Sequence, residues 1–358
     1  MYYGTTAGRL LQLLLKTYSP TFHEGEAVSL LVEEAWRLGF DEAYIDQAGN
    51  GRLLVYPRDE GSEQARIALV GHIDTVPGWV EPLSNGDIIR GRGAVDAKAP
   101  LASMIIGALH ARPRRHVVEV VAAVGEEGPS HGAWFLVKSG WRAKAIIIGE
   151  PTNTTKVAIG YRGGCRIKVA CTGEEGHSSS PWLYQDACSL ALEAYKKLAE
   201  SSSVSVNGYT FTVTGIRCGD INDTNSNVVA GEAVLNIDAR IPVGGGVEEL
   251  REKLYSMLPS SCSATIARCI QPVRVSVSSP VPRALIRSLL GYGIRPQPVI
   301  KAGTSDMNIL RLVTSNIAAY GPGRSELSHT RYEEVSLQEL DTAVHVYVQA
   351  IRELDLTL

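Results

Sequence analysis

Three aliphatic runs, each stopped by a glycine and then by ionisable residues, constrain this chain more than any other feature. Residues 67–70, 117–124 and 145–148 are almost wholly apolar, with the segments Gly71-His72-Ile73-Asp74, Gly125-Glu126-Glu127-Gly128 and Gly149-Glu150-Pro151 at their ends. Runs this short and rich in β-branched residues read as strands. Apolarity at successive positions means burial on both faces, as in an α/β sheet. A further strand signal covers 52–56, and a helical stretch at 97–111 separates two of the runs. Helix signals also cover 5–17 and 23–38, the second ending at Gly39, a good C-cap residue. The leucines at 10, 11, 13, 14 and 15 then form a buried helix face. This is the strand–helix–strand rhythm of a three-layer α/β domain.

A chain of 358 residues is long for one hydrophobic core, so two domains are expected. The pattern changes at Gly160-Tyr161-Arg162-Gly163-Gly164. Beyond it come two strands near 157–171, a helix near 183–200, strands near 209–216 and 232–241, a helix near 247–258 and a strand near 262–268. That order predicts an inserted α+β, ferredoxin-like domain with helices on one face of an antiparallel sheet. It spans 158–272 and would serve as a lid or dimerisation domain. Residues 1–157 and 273–358 would form the catalytic domain, which ends in a long helix at about 336–355.

The net charge of -3 gives no reason to expect a nucleic acid or an anionic membrane as partner. No apolar run approaches the roughly 20 residues of a membrane span. The first residues lack the basic start and cleavage site of an export signal, so the expected location is the cytoplasm. Cysteines at 165, 171, 188, 218, 262 and 269 make no C-x-x-C pair. Reduced, mostly buried thiols are the expectation from the compartment, with disulfides left open for a hyperthermophilic source.

In open α/β sheets, ligands bind outside the carboxyl ends of the strands. The polar segments above, together with Asp96 in Gly91-Arg-Gly-Ala-Val-Asp96 before a helix, would converge there. A lone His-x-Asp is usually structural, but Asp74 could accept the spare N–H of a metal-bound His72. Neighbouring residues at a strand end point opposite ways. Of Glu126 and Glu127, one can therefore bind metal while the other faces substrate as a base. Asp96 and Glu150 could each be a plain helix cap, yet together with His72 and Glu127 they supply imidazole and carboxylate ligands that suit zinc. Two ions sharing one carboxylate need five ligands. His329, in Ser328-His329-Thr330, is the best remaining imidazole.

These motifs, with Gly71-His-Ile-Asp-Thr-Val-Pro77, Gly91-Arg-Gly-Ala-Val-Asp-Ala-Lys98 and Gly173-x-x-Gly-His-Ser178, occur in the order seen in one family. The chain resembles, over essentially its whole length, the di-zinc metallopeptidases that include acetylornithine deacetylase, succinyl-diaminopimelate desuccinylase and carboxypeptidase G2. The resemblance implies two zinc ions per subunit. His72 and Glu150 would hold one, Glu127 and His329 the other, and Asp96 would bridge. Cobalt(II) or manganese could share such ligands. It further implies Glu126 as general base and acid, acting on water made acidic by the metals, with Asp74 orienting His72. His177, which on its own reads as a surface-loop histidine, would cross a homodimer interface and steady the oxyanion in the partner's site. Asn225, Asn227 and Arg240 resemble the stretch that holds a substrate carboxylate, a task suited to an arginine fork; a strand-end salt bridge is the plainer reading of Arg240. Gly303 and Thr304 resemble a substrate-facing loop, compatible with a helix N-cap at Thr304 or Ser305.

Two departures from the deacetylase pattern bear on the substrate. The segment between His72 and Asp96 is compact, and Ala99-Pro100 stands where acylases usually show Gly-Gly. Both features resemble the branch that releases lysine or ornithine from the C-terminal glutamate of a small acidic amino-group carrier protein, in lysine and arginine biosynthesis. Arg112, Arg114, Arg115 and Arg324 are candidates for facing such a carrier, although a charge run is more often a solvated loop. The alternatives are an N-acyl amino acid deacylase, such as the deacetylase or desuccinylase, and a dipeptidase or aminopeptidase. A non-catalytic binding protein on the same fold should have lost Glu126 or a metal ligand, and none is missing here.

Overall fold

The structure is a computed structural model that describes residues 2–59, 65–202, 207–220, 222 and 226–358. Its contacts divide the chain into two units, one of residues 1–159, 275–299 and 305–358, the other of residues 160–274 and 300–304.

The first unit is an α/β domain on a mixed sheet. Its strands run in the order Glu42–Ile45, Gly51–Val55, Val117–Ala123, Arg66–His72, Ala145–Gly149, Ile317–Tyr320 and Lys156–Tyr161. The four inner strands, Val117–Ala123, Arg66–His72, Ala145–Gly149 and Ile317–Tyr320, are parallel to one another. Every residue of Val117–Ala123 is buried, so helices must cover both faces of the sheet, which is why that run is apolar at successive positions. The exception, Glu119, is paired with Arg52 and Arg66 and accepts from the Trp141 indole N–H, as a buried carboxylate must. The terminal helix Leu337–Thr357 packs against Lys98–Ala111, Pro280–Gly291 and Gly4–Leu15. Helix Gly25–Leu38 stops where predicted. Gly39 adopts φ +94°, and its N–H returns to Ala35 and Trp36, a left-handed C-cap open to glycine at no steric cost.

The second unit carries a four-stranded antiparallel sheet in the order Thr210–Cys218, Glu232–Ile241, Gly163–Thr172 and Cys262–Ile270. With helices Ala187–Ser201 and Val247–Met257 the element order is βαββαβ, the ferredoxin-like arrangement. Burial alternates along Gly163–Thr172, because only one sheet face meets the helices. Leu190, Leu198, Leu250 and Leu254 close that core against Ile167, Val169, Leu235 and Ile237. One expected element moves: of the two strands near 157–171, Lys156–Tyr161 joins the large sheet beside Ile317–Tyr320, leaving Gly163–Thr172 to open the small one.

The cysteine expectation is corrected. Cys165 is bonded to Cys269 and Cys171 to Cys262, while Cys188 and Cys218 carry free thiols. Each bonded pair lies directly opposite on neighbouring antiparallel strands. Six positions separate the cysteines on one strand and seven on the other. A register shift between Ile266 and Arg268 absorbs the extra residue, as a β-bulge does. Spacing in sequence cannot reveal this pairing, because it depends on register between strands about a hundred residues apart.

Candidate metal centre

The five expected ligands gather at the carboxyl ends of the four parallel strands of the first unit. His72 is the last residue of Arg66–His72. Glu126 and Glu127 follow Val117–Ala123, and Glu150 follows Ala145–Gly149. The chain leaving Ile317–Tyr320 reaches His329, which itself sits at φ +66°. Asp96 lies just before helix Lys98–Ala111. Glycine permits the turn after Val117–Ala123. Gly125 has φ +75°, and a Cβ there would lie 2.2 Å from the His131 ring.

Asp96 is the centre of the arrangement. Its Oδ1 faces the His72 Nε2 at 3.2 Å and its Oδ2 faces the His329 Nε2 at 3.4 Å. His329 Nε2 also meets Glu127 Oε1 at 2.8 Å. His72, Asp96 and Glu127 offer donor atoms within 4.8 Å of one another, as do His72, Glu126 and Glu150. Ligands about 2.05 Å from a tetrahedral ion lie about 3.3 Å apart. The two Asp96–imidazole distances match that edge, one on each carboxylate oxygen. The donor set around His72 and Asp96 therefore has the chemistry and spacing of a metal site.

Charge crowding explains the proton affinities. Burial pushes the Glu126 carboxyl well above the ordinary range; the carboxylates of Glu150, Asp306 and Glu127 push the same way, and His72 opposes them. Hydrogen bonds to Asp96 and then Glu127 raise the metal-free His329 imidazole to about 10. Asp96 itself is held below the usual carboxylate range: burial opposes this, but the two imidazoles outweigh it. A carboxyl whose proton affinity is raised by burial beside imidazoles and acids is the environment of a proton-transfer group.

Asp74 has more partners than the sequence suggests. His72 Nδ1 lies 2.9 Å from the Asp74 backbone carbonyl and 3.5 Å from its carboxylate. The carboxylate accepts the N–H of Glu126 at 3.1 Å, the N–H of Glu127 at 3.1 Å and the Thr21 hydroxyl at 2.8 Å. It orients the Glu126–Glu127 turn at least as directly as it orients His72. Nothing in the sequence singles out Thr21 as a partner of Asp74, because a threonine ahead of a helix reads as a capping residue.

Two more groups escape sequence reasoning. Glu333, 1% exposed, accepts the backbone N–H groups of Gly93, Val95 and Asp96 at 3.0, 3.1 and 3.2 Å. It also pairs with Arg92, which donates to the carbonyls of Gly78 and Thr330 at 3.0 Å each. Asp306 lies at the start of helix Asp306–Leu310, whose N-cap is Ser305: the Ser305 hydroxyl accepts from Met307 N–H. The compact segment after His72 folds into a hairpin, Leu83–Asn85 with Ile88–Arg90, extended by Glu334–Ser336.

The other candidates lie in the second unit. His177 is exposed; its Nδ1 accepts from Ser179 N–H at 3.2 Å and its Nε2 faces the Asn227 amide at 3.3 Å. Arg240 donates to Asp238 at 2.9 Å, the plainer of the two readings drawn from the sequence. Gly303 is exposed and Thr304 half-buried. Asn225 falls outside the described residues. The Arg112–Arg115 run, in the first unit, precedes Val117–Ala123, at the end of that strand opposite Glu126, with the N–H groups of Arg114, Arg115 and His116 tied to Asp355. That position does not suit a partner entering at the metal centre. Arg324 lies in the loop leading to His329 and pairs with Glu334.

Fold and site together define a metal-dependent hydrolase of amide bonds, and comparison with known proteins identifies the lineage. The chain belongs to the peptidase family M20/M25/M40, which matches residues 68–353. It is 36% identical over 353 residues to the LysW-lysine/LysW-ornithine hydrolase of Saccharolobus solfataricus, covering 97% of this chain and 96% of that one. It is 38% identical over 290 residues to the enzyme of the same name from Sulfurisphaera tokodaii, with 80% and 81% covered. Among solved structures, a tripeptidase from Staphylococcus aureus shares the fold with a TM-score of 0.84 at 20% identity, each chain covered completely. An M20 family metallo-carboxypeptidase from Sulfolobus solfataricus does so with a TM-score of 0.76 at 17% identity, covering 98% of this chain and 99% of the other.

Proposed function

We propose that this chain releases lysine or ornithine from the C-terminal glutamate of the LysW amino-group carrier protein, using two zinc ions per subunit. The bridging placement of Asp96 between His72 and His329 supports the two-ion chemistry. Identity of 36–38% to relatives named for LysW-lysine and LysW-ornithine supports the substrate.

His72 and Glu150 would hold one ion, Glu127 and His329 the other, and Asp96 both. Cobalt(II) would fit the same donors. When bound, the ions supply Lewis-acid polarisation of the scissile carbonyl and make water acidic enough to lose a proton near neutral pH. Glu126 receives that proton and delivers it to the amine nitrogen of the departing lysine or ornithine as the amide C–N bond breaks. Asp74 holds the Glu126 backbone N–H and so fixes where the base sits. His177, exposed in its own unit, would serve the partner's site of a homodimer by donating to the oxyanion. Arg240 and Asn227, with Asn225, would hold a substrate carboxylate, and Gly303 and Thr304 would line its path. No helix among the described residues is long and apolar enough to cross a membrane. The biosynthetic reaction fits the cytoplasm, where intracellular disulfides such as these are familiar in hyperthermophiles.

The test is a substrate panel for the zinc-loaded protein: LysW carrying γ-linked lysine, LysW carrying ornithine, acetylornithine and succinyl-diaminopimelate. Carrier conjugates are expected to turn over at least about a hundredfold faster by kcat/KM, the roughly 3 kcal/mol that a few added contacts provide. Comparable rates on a small acyl substrate with none on the conjugates would move the chain to the deacylases.

A further inference from the structure

Arg92 and Glu333 lie outside the reacting groups, yet between them they touch each loop that carries or leaves a ligand next to Asp96. One oxygen of Glu333 collects the N–H groups of Gly93, Val95 and Asp96, the turn that presents the bridging carboxylate. Its other oxygen meets the Arg92 guanidinium. Arg92 in turn holds the carbonyl of Thr330, the residue after His329, and the carbonyl of Gly78, in the segment that leaves His72. Both residues are buried, at 7% and 1% exposure.

The support is uneven. His72 and Glu150 stand at or just beyond strand ends and inherit their position from the sheet, while Glu127 sits in the turn that Asp74 holds. Asp96 and His329 sit on loops, and His329 has a half-exposed side chain. Those two are the ligands next to which the pair acts. We infer that the Arg92–Glu333 pair is a positioning device that fixes Asp96 and His329 against each other, and so sets the spacing of the two metal positions. The inference rests on the two-ion reading above. Arginine is needed because its fork reaches two carbonyls and a carboxylate at once, which a lysine ammonium on a flexible stem does not reproduce.

Cobalt(II) titration followed by visible absorption, on purified protein stripped of metal, tests this without relying on turnover. Unfolding of the metal-free form is followed in parallel. Arg92→Lys should keep cooperative unfolding but weaken one of two ions, the one assigned to Glu127 and His329, by about 10–100-fold, the usual effect of losing a group that supports a ligand. The other ion should change by less than about threefold. Glu333→Gln, which removes the acceptor for Asp96 N–H, should weaken both. Glu334→Gln, a neighbouring partly exposed acid, is the control and should change neither. With zinc saturating, both test variants should lose kcat more than they alter KM. Two ions in the wild type with unchanged affinities in folded Arg92→Lys and Glu333→Gln would overturn this inference alone. A wild-type protein that binds one ion would overturn the two-ion reading, and the inference with it. Failure of both variants to fold would make the pair a fold determinant and likewise overturn it.

Discussion

Replacing Asp74 by Asn separates two accounts of that residue. If Asp74 serves His72 alone, its loss should act through the imidazole and spare the rest of the site. The structure places three other donors on the same carboxylate, namely Glu126 N–H on Oδ1, and Glu127 N–H and the Thr21 hydroxyl on Oδ2. An asparagine keeps one oxygen. The cheaper orientation leaves that oxygen at the Oδ2 position and strands Glu126 N–H against an amide nitrogen. One stranded buried donor costs about 1–3 kcal/mol. Exchanging a charged for a neutral acceptor on the remaining two removes about 0.5–1.5 kcal/mol each. The sum, about 2–6 kcal/mol, is expected to appear in urea unfolding of the metal-free protein. The stranded donor belongs to the proposed base, so part of the cost should reach the chemical step: about 2.7 kcal/mol corresponds to a hundredfold in kcat. Thr21→Val is the second arm. It removes one hydroxyl bond to the carboxylate, without touching His72, and is expected to cost about 1.5–3 kcal/mol. Metal-free stability within about 0.5 kcal/mol of wild type in Asp74→Asn, with a silent Thr21→Val, would refute the reasoning, since a single lost hydrogen bond already exceeds that.

Other outcomes follow from the same geometry. Glu126→Gln should retain two metal ions and lose about 10²–10⁴-fold in kcat; retained turnover would remove Glu126 from the proton path. His177→Ala should fold and bind metal normally yet lose at least about a hundredfold in kcat, and mixing it with a Glu126→Gln protein should restore some activity if the histidine crosses a dimer interface. Full turnover of His177→Ala alone would sink that role. Metal-free His329, raised to about 10 by Asp96 and Glu127, is protonated at neutral pH and must release that proton to bind a cation. Affinity at its site should therefore climb about tenfold per pH unit between about pH 7 and 9; a flat profile would contradict the ion pair. The sign for stability is opposite: the raised pKa stabilises the metal-free fold fully below about pH 6.5, and this is lost as pH rises through about 10. Reducing the disulfides should destabilise the second unit, by up to about 4.7 kcal/mol for a loop of a hundred residues, and by less for the second bond, whose loop the first has already closed. Unchanged melting of that unit in a strong reductant would argue against both bonds.

Those parts of the molecule that follow a local pattern are legible in the amino-acid sequence. Apolar runs ended by glycine locate three of the four parallel strands, and because ligands gather at carboxyl ends, they also locate His72, Glu126, Glu127 and Glu150. Gly39 marks its helix end for a local reason, the left-handed backbone at a C-cap. What stays illegible is non-local. The pairing of Cys165 with Cys269 depends on a register that a bulge shifts by one residue. Strand Lys156–Tyr161 reads as part of the inserted sheet because apolar alternation says nothing about which neighbour a strand will choose.

The same division runs through the metal centre. Ligands reveal themselves by residue type in a glycine-bounded motif, but the groups that aim them do so through main-chain N–H and carbonyl groups, which nearly every residue possesses. Glu333 accepts from Gly93, Val95 and Asp96, about 240 positions away, and nothing in its local sequence distinguishes it from exposed Glu326. Burial does. A carboxylate at 1% exposure is stable only when donors converge on it, and for Glu333 three of those donors are main-chain N–H groups. Here the backbone held is that of Asp96. Residue type can therefore nominate His72, Asp96, Glu127, Glu150 and His329 from the sequence, while the main-chain groups that Asp74, Arg92 and Glu333 hold come to light only in the fold.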